Sequence, residues 1–81
     1  MKEEMKEEPI KVYIEINENN EIIKVFSSEF EEPKESSIFI DSGFGVKYRH
    51  AQNNYLNKPL LNEKAQYNYK YIDNKVVENN L

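Results

Sequence analysis

Alternation of apolar and polar residues constrains the fold of this chain more than any other sequence feature. In residues 10–16 every second side chain is large and β-branched, namely Ile10, Val12, Ile14 and Ile16. A period of two is typical of a strand that is buried on one face only. The segment therefore predicts an antiparallel sheet with one side against a core.

Each alternating stretch is followed by a turn signal and then by a second strand. Residues 17–20 (NENN) separate the first strand from residues 21–26 (EIIKVF), and asparagine tolerates the left-handed conformation that tight turns use. A second alternating stretch, residues 67–72, leads through the two-residue turn 73–74 (DN) into residues 75–78 (KVVE). The chain is predicted to contain two β-hairpins.

The segment between the hairpins gives a weaker pattern. Residues 37–40 (SIFI), closed by the only two glycines of the chain, predict a short middle strand and a tight loop. Farther on, Tyr48, Ala51 and Tyr55 share one helical face. This pattern is compatible with a short helix around residues 48–56. We expect irregular or β structure there instead. The predicted fold class is mainly β, a small single domain of two β-hairpins plus a short middle strand, with a short helix around residues 48–56 kept as the alternative for that segment.

Two further segments are assigned from charge and from proline. In residues 1–9, glutamates and lysines recur four positions apart, which disfavours a helix, so we predict a flexible charged N-terminal arm that ends at Pro9. Residues 10–78 are predicted to form the single β-rich domain. In the charged connection after the first hairpin, Phe30 is expected to pin the loop to the core.

The sequence lacks the residues that common catalytic and metal sites require. The chain has 81 residues, no cysteine and one histidine, which excludes disulfides, thiolate metal sites and multi-histidine sites. His50 is the one candidate general base, and Ser42 beside Asp41 lacks the glycine-flanked turn of a hydrolase nucleophile. We predict that the protein is not an enzyme and needs no cofactor.

Charge is distributed unevenly along the chain. Residues 1–40 carry eleven Glu against five Lys, a net charge of −6, whereas residues 41–81 carry four acids against five Lys and one Arg, a net charge of +2. Docking onto a complementary partner and ordinary solubilising surface charge are both compatible with this pattern. No basic cluster is present, so nucleic-acid binding is not expected. No apolar leader or run of 18 apolar residues occurs, so no membrane span is expected.

Tyrosine is the one residue type that points toward a binding surface. Tyr67, Tyr69 and Tyr71 alternate and are predicted to line one strand face, and Tyr48 and Tyr55 are expected to extend that surface. A phenol buries its ring and keeps its hydroxyl hydrated, so tyrosine-lined faces are common at interfaces. Packing at the edge of the core is the alternative. We predict these five tyrosines as interface residues.

Several segments of the second half resemble a known group of proteins. They are residues 48–55 (YRHAQNNY), 58–60 (KPL), 67–71 (YNYKY) and 73–78 (DNKVVE). Together they resemble the short accessory proteins encoded in tail modules of phages and prophages of low-G+C Gram-positive bacteria. The chain departs from that pattern at Asn53 and Asn74, where the family has glycine; asparagine is the next-best residue for a positive φ, so both turns are expected to persist.

The resemblance implies a non-enzymatic component of a phage tail or phage-tail-like particle, assembled in the bacterial cytoplasm. Its expected partner is a tail fibre or baseplate protein, or further copies of the same chain. A second hypothesis from a different class is a small acidic inhibitor or decoy that acts on a host protein in the bacterial cytoplasm. The eleven glutamates of the first half could then compete for a basic groove.

Overall fold

The computed structural model describes residues 8–79, which form five strands in two antiparallel sheets and two short helices. The strands are β1 (Ile10–Ile16), β2 (Ile22–Ser27), β3 (Ile38–Gly43), β4 (Tyr69–Ile72) and β5 (Lys75–Glu78), and the helices are α1 (Val46–Arg49) and α2 (Ala51–Asn54). The prediction of a mainly β fold is confirmed. Most of the predicted N-terminal arm lies outside the described residues, and its last two residues, Glu8 and Pro9, are exposed.

The first hairpin forms as the alternation predicts. Val12 and Ile14 of β1 are fully buried, and β2 pairs with β1 in antiparallel register. The Asn17 side-chain oxygen accepts hydrogen bonds from the backbone N–H groups of Asn19 (2.9 Å) and Glu21 (3.0 Å). Asn20 adopts a φ of 65°. Asparagine side chains therefore hold this turn both by hydrogen bonding and by tolerating the left-handed conformation.

The connection from β2 to β3 crosses the outer face of the sheet. In the strand order β2-β1-β3, both outer strands are antiparallel to β1, so they are parallel to each other and residues 28–37 must span the strand length. Glu31 forms an ion pair with Lys24, and the Ser37 hydroxyl donates to the Glu15 carboxylate at 3.2 Å. Lys24 and Glu15 are cross-strand neighbours on the side opposite the core, which places the crossover there.

The segment after β3 is helical, as the alternative for residues 48–56 predicted, so the expectation of irregular or β structure there is wrong. Gly45, with a φ of 101°, turns the chain into α1, and His50 separates α1 from α2. Each helix has only four residues, too few to be stable without tertiary packing. Ala51, which is fully buried against the core, supplies that packing. Asn53, expected in a left-handed turn, lies inside α2.

The second hairpin closes through a two-residue turn in which Asp73 and Asn74 have φ values of 53° and 64°. Positive φ at both positions is the type I′ geometry that matches strand twist. The hairpin joins the first sheet through a bridge between Glu21 and Lys70. The core lies between the inner face of the first sheet, α2 and β4, and its buried members are Val12, Ile14, Ile22, Val25, Ala51 and Tyr69.

Candidate interaction surface

The tyrosines of the second hairpin are divided between the core and its margin. Tyr69 is only 5% exposed and belongs to the core, where its hydroxyl accepts a hydrogen bond from the backbone N–H of Lys58 at 3.0 Å. Tyr69 thus follows the core-packing alternative. Tyr71 is half-buried against the core. Tyr67 precedes β4 in the sequence; it is half-buried and forms an isolated β-bridge with Leu61.

Tyr48 and Tyr55 form a clamp on Asp41 of β3. The Tyr55 hydroxyl donates to the Asp41 carboxylate at 2.8 Å and the Tyr48 hydroxyl at 3.4 Å. The Lys47 ammonium lies 5.1 Å from the centre of the Tyr55 ring, within cation–π distance. Burial, aided by the hydrogen bond and charge of Asp41, raises the pKa of Tyr55 far above its usual value. The phenols therefore stay neutral and fasten the helical segment to β3.

The Tyr48 ring can approach the β3 backbone closely because residue 43 is a glycine. A Cβ atom on Gly43 would lie 2.5 Å from the Tyr48 ring, a separation that real side chains do not reach. The absence of a side chain at Gly43 therefore lets the ring pack directly on the β3 backbone. Because Tyr48 and Tyr55 are half-buried and hydrogen-bonded within the chain, their main contribution in the monomer is structural. Whether these tyrosines also contact a partner stays a prediction.

The residues that could have suggested a hydrolase occupy separate environments. The Asp41 carboxylate accepts from two phenols and from the backbone N–H of Ser42 at 2.8 Å. The His50 ring stacks on Phe30, with 5.1 Å between ring centres. Within residues 8–79, no cluster of three or more metal-ligating side chains occurs.

The three most exposed large apolar side chains lie at one end of the first sheet. The register places the first residue of β1 opposite the last residue of β3, and the last residue of β2 is close by. The loops that leave this end carry Phe30 and Phe44, and α1 begins there at Val46. These side chains are 59%, 57% and 63% exposed, more than any other large apolar side chain among the described residues.

A cleft of about 370 Å³ opens between these loops. Its lining combines apolar, cationic and acidic groups, contributed by Glu8, Ile10, Glu29, Phe44, Gly45 and Arg49. We call Phe30, Phe44, Val46, Arg49 and His50 the sheet-end surface. Exposed aromatic rings next to an arginine are the composition that protein interfaces favour.

The expectation that Phe30 pins its loop to the core is wrong, because its side chain is mostly exposed. The backbone N–H groups of Phe30 and Glu31 both donate to the Ser27 carbonyl, and this tight turn carries the Phe30 ring past the sheet end. The ring then packs on His50 instead of on the core. No local sequence pattern indicated that Phe30 would be exposed. Phe44, by contrast, lies between two glycines, and this pattern indicates an apolar side chain exposed on a loop.

Comparisons with protein-family models, with curated proteins and with solved structures gave no significant match. No helix within residues 8–79 has the length and apolar character needed to cross a membrane.

Proposed function

We propose that the chain is a non-enzymatic structural or accessory component of a phage tail or phage-tail-like particle. It attaches through the sheet-end surface to a fibre or baseplate protein. The observation that carries the attachment is the grouping of the three most exposed apolar side chains, Phe30, Phe44 and Val46, at one end of one sheet. The assignment to a particle is supported by the sequence resemblance of the second half.

The sheet-end surface contains enough apolar area to anchor a partner. A phenylalanine side chain can bury about 150–250 Å², so two rings that are more than half exposed offer roughly 200 Å². At about 25 cal/mol per Å², covering them contributes about 5 kcal/mol before the cost of association. Phe30 and Phe44 are therefore expected to form the centre of an interface whose rim is polar.

Part of this surface is already held in place before binding. Phe30 stacks on His50, and the Arg49 carbonyl accepts a hydrogen bond from the buried Ser27 hydroxyl at 2.7 Å. The helical segment is thus fixed to the end of β2. Side chains that are ordered in the free protein lose less entropy on association, which increases affinity for a given contact area.

The acidic inhibitor remains the second candidate, and one observation favours it. Glu29, Glu32 and Glu35 are exposed on the crossover, whereas Glu31 is paired with Lys24. This row of carboxylates could occupy a basic groove of a host protein. The inhibitor would bind through charge and lose affinity in salt, whereas attachment through the sheet-end surface is apolar and salt-tolerant.

Rebinding to particles tests the proposal. Tail-like particles are purified from a strain that lacks the gene, the purified chain is added at a series of concentrations, and bound protein is measured after sedimentation. We expect saturable binding that persists in about 0.5 M salt, where the Debye length is only a few ångströms. Phe44→Ser should weaken this binding by about 30-fold, the effect of losing a central hot-spot side chain.

Ile72→Ser is the matched control. Ile72 is an exposed apolar residue, 41% accessible, but it lies on β4, in the separate two-stranded sheet. This variant should bind like the wild type. Equal losses in both variants, or binding that disappears in salt, would contradict attachment through the sheet-end surface. Particles that bind no chain at all would contradict the particle assignment.

A further inference from the structure

The outer edge of β3 is open and carries no charge along its first half. Within residues 8–79, β3 pairs only with β1, so its other edge has no strand beside it. Its first three residues, Ile38, Phe39 and Ile40, are β-branched or aromatic. An edge strand presents unpaired N–H and C=O groups, and natural proteins usually protect such edges with lysine or proline. Neither residue type occurs in β3.

The free edge of the second sheet provides a comparison within the same molecule. Strand β5 carries a lysine at its first position and a glutamate at its last, Lys75 and Glu78, both exposed. Charges at these positions oppose edge-to-edge pairing. Charged residues thus protect the β5 edge, whereas the first half of β3 carries none.

A row of aromatic rings leads across the outer face to this edge. The rings of Phe26 and Tyr13 stack with 5.7 Å between centres, and the rings of Tyr13 and Phe39 meet edge to face at 5.8 Å. At the far end of the row Phe26 is 3% exposed, and the Lys24 ammonium lies 5.1 Å from the centre of its ring. At the open edge, by contrast, Phe39 is 51% exposed. The row therefore ends on a half-exposed ring at an unpaired strand.

From this arrangement we infer that the β3 edge pairs with the β3 edge of a second copy of the chain, antiparallel and about a two-fold axis at Phe39. This register places Phe39 opposite Phe39 of the second copy and Ile38 opposite Ile40. The two aromatic rows then join into one. The inference depends on the β3 edge and not on the sheet-end surface, so it is tested separately from the proposed function.

Charge supports a second copy as the occupant of this edge. The segment that this register pairs, residues 38–40, is uncharged, so no like charges oppose each other across the two-fold axis. Asp41 is held by two phenols of its own chain, so it does not compete for the edge. A β-bulge at Ile40 shortens the ladder that can form. The contact is therefore small, and association is expected to be weak and dependent on concentration.

Sedimentation velocity on the purified full chain tests this inference. The wild type should shift from monomer to dimer between about 10 µM and about 1 mM, the range expected for a contact of this small size. Phe39→Lys places two ammonium groups opposite each other and should weaken dimerisation by about 30-fold or more. Phe39→Tyr, which keeps the ring, should dimerise like the wild type.

Phe44→Lys is the matched control, because Phe44 is exposed to a similar degree, 57% against 51%, but lies at the sheet end. It should leave dimerisation unchanged, and circular dichroism should show native folds for all variants. A wild type that stays monomeric at about 1 mM overturns the inference, as does a Phe39→Lys variant that dimerises normally. Loss of dimer in Phe44→Lys alone also overturns it, since the sheet end would then be the contact.

Disulfide trapping tests the register directly, because the chain has no cysteine of its own. Residues directly opposite in an antiparallel pair have Cβ atoms about 4.5–5.5 Å apart, near the separation that a disulfide requires. Phe39→Cys should therefore form a covalent dimer under mild oxidation much faster than Phe44→Cys. Equal rates in the two variants would overturn the two-fold pairing at Phe39.

Discussion

Replacing Tyr69 by alanine should remove a large part of the stability of the protein. The side chain is 5% exposed, so nearly all of its area, about 150–250 Å² for an aromatic residue, is removed from water. At about 25 cal/mol per Å² this burial contributes about 4–6 kcal/mol. The retained Cβ and partial relaxation of the cavity leave a cost of about 3–5 kcal/mol. A chain of this length has a total stability of about 4–12 kcal/mol, so the loss is a large part of it.

Urea denaturation followed by circular dichroism measures this cost, and two variants calibrate it. Tyr69→Phe keeps the ring but removes the acceptor for the Lys58 N–H, so it should cost only about 1–2 kcal/mol. Tyr67→Ala removes a half-buried ring from the same segment and should cost less than Tyr69→Ala. A Tyr69→Ala variant that loses less than about 1 kcal/mol would refute the placement of this ring in the core.

Two further predictions concern pH and turn geometry. The pKa of Tyr55 is raised in the folded chain. Above pH 10 the unfolded chain therefore releases a proton that the folded chain keeps. The free energy of unfolding should fall as pH rises beyond that value. Asp41→Asn removes the hydrogen-bonded charge but not the burial of Tyr55. In this variant, urea titrations at about pH 9 and about pH 11 should show a smaller fall in the free energy of unfolding. An unchanged fall would exclude Asp41 as a cause of the raised pKa. Asn74→Val places a β-branched residue at a φ of 64° and should cost about 1–2 kcal/mol in urea denaturation. Asn74→Gly should equal or exceed wild-type stability, and equal costs in the two variants would contradict the strained turn.

The hairpins could be predicted because their determinants are local. Alternation along residues 10–16 fixes which face is buried, and short polar turns fix where the chain reverses. Asn74 keeps the positive φ expected of it. The same local reasoning failed at Asn53, because the conformation there depends on packing of the neighbouring Ala51 against the core.

The helical segment and the sheet-end surface could not be predicted because they depend on contacts between distant residues. The helices are held by Ala51 in the core and by the phenol hydrogen bonds to Asp41. Phe30 is exposed because the turn at Ser27 directs it away from the core and its ring packs on His50, twenty positions along the chain. Among the predicted interface tyrosines, burial of Tyr69 likewise results from docking of the second hairpin on the first sheet.

We propose that this chain is a resident part of a tail or tail-like particle, attached through its sheet-end surface. Quantitative mass spectrometry of particles purified from the bacterium that encodes the chain tests it most directly. We expect the wild-type chain at a constant number of copies per particle, and we expect that number to drop sharply for Phe44→Ser but not for Ile72→Ser. Particles that lack the chain, with all of it recovered in the cytosolic fraction in complex with a host protein, would contradict the claim and favour the inhibitor.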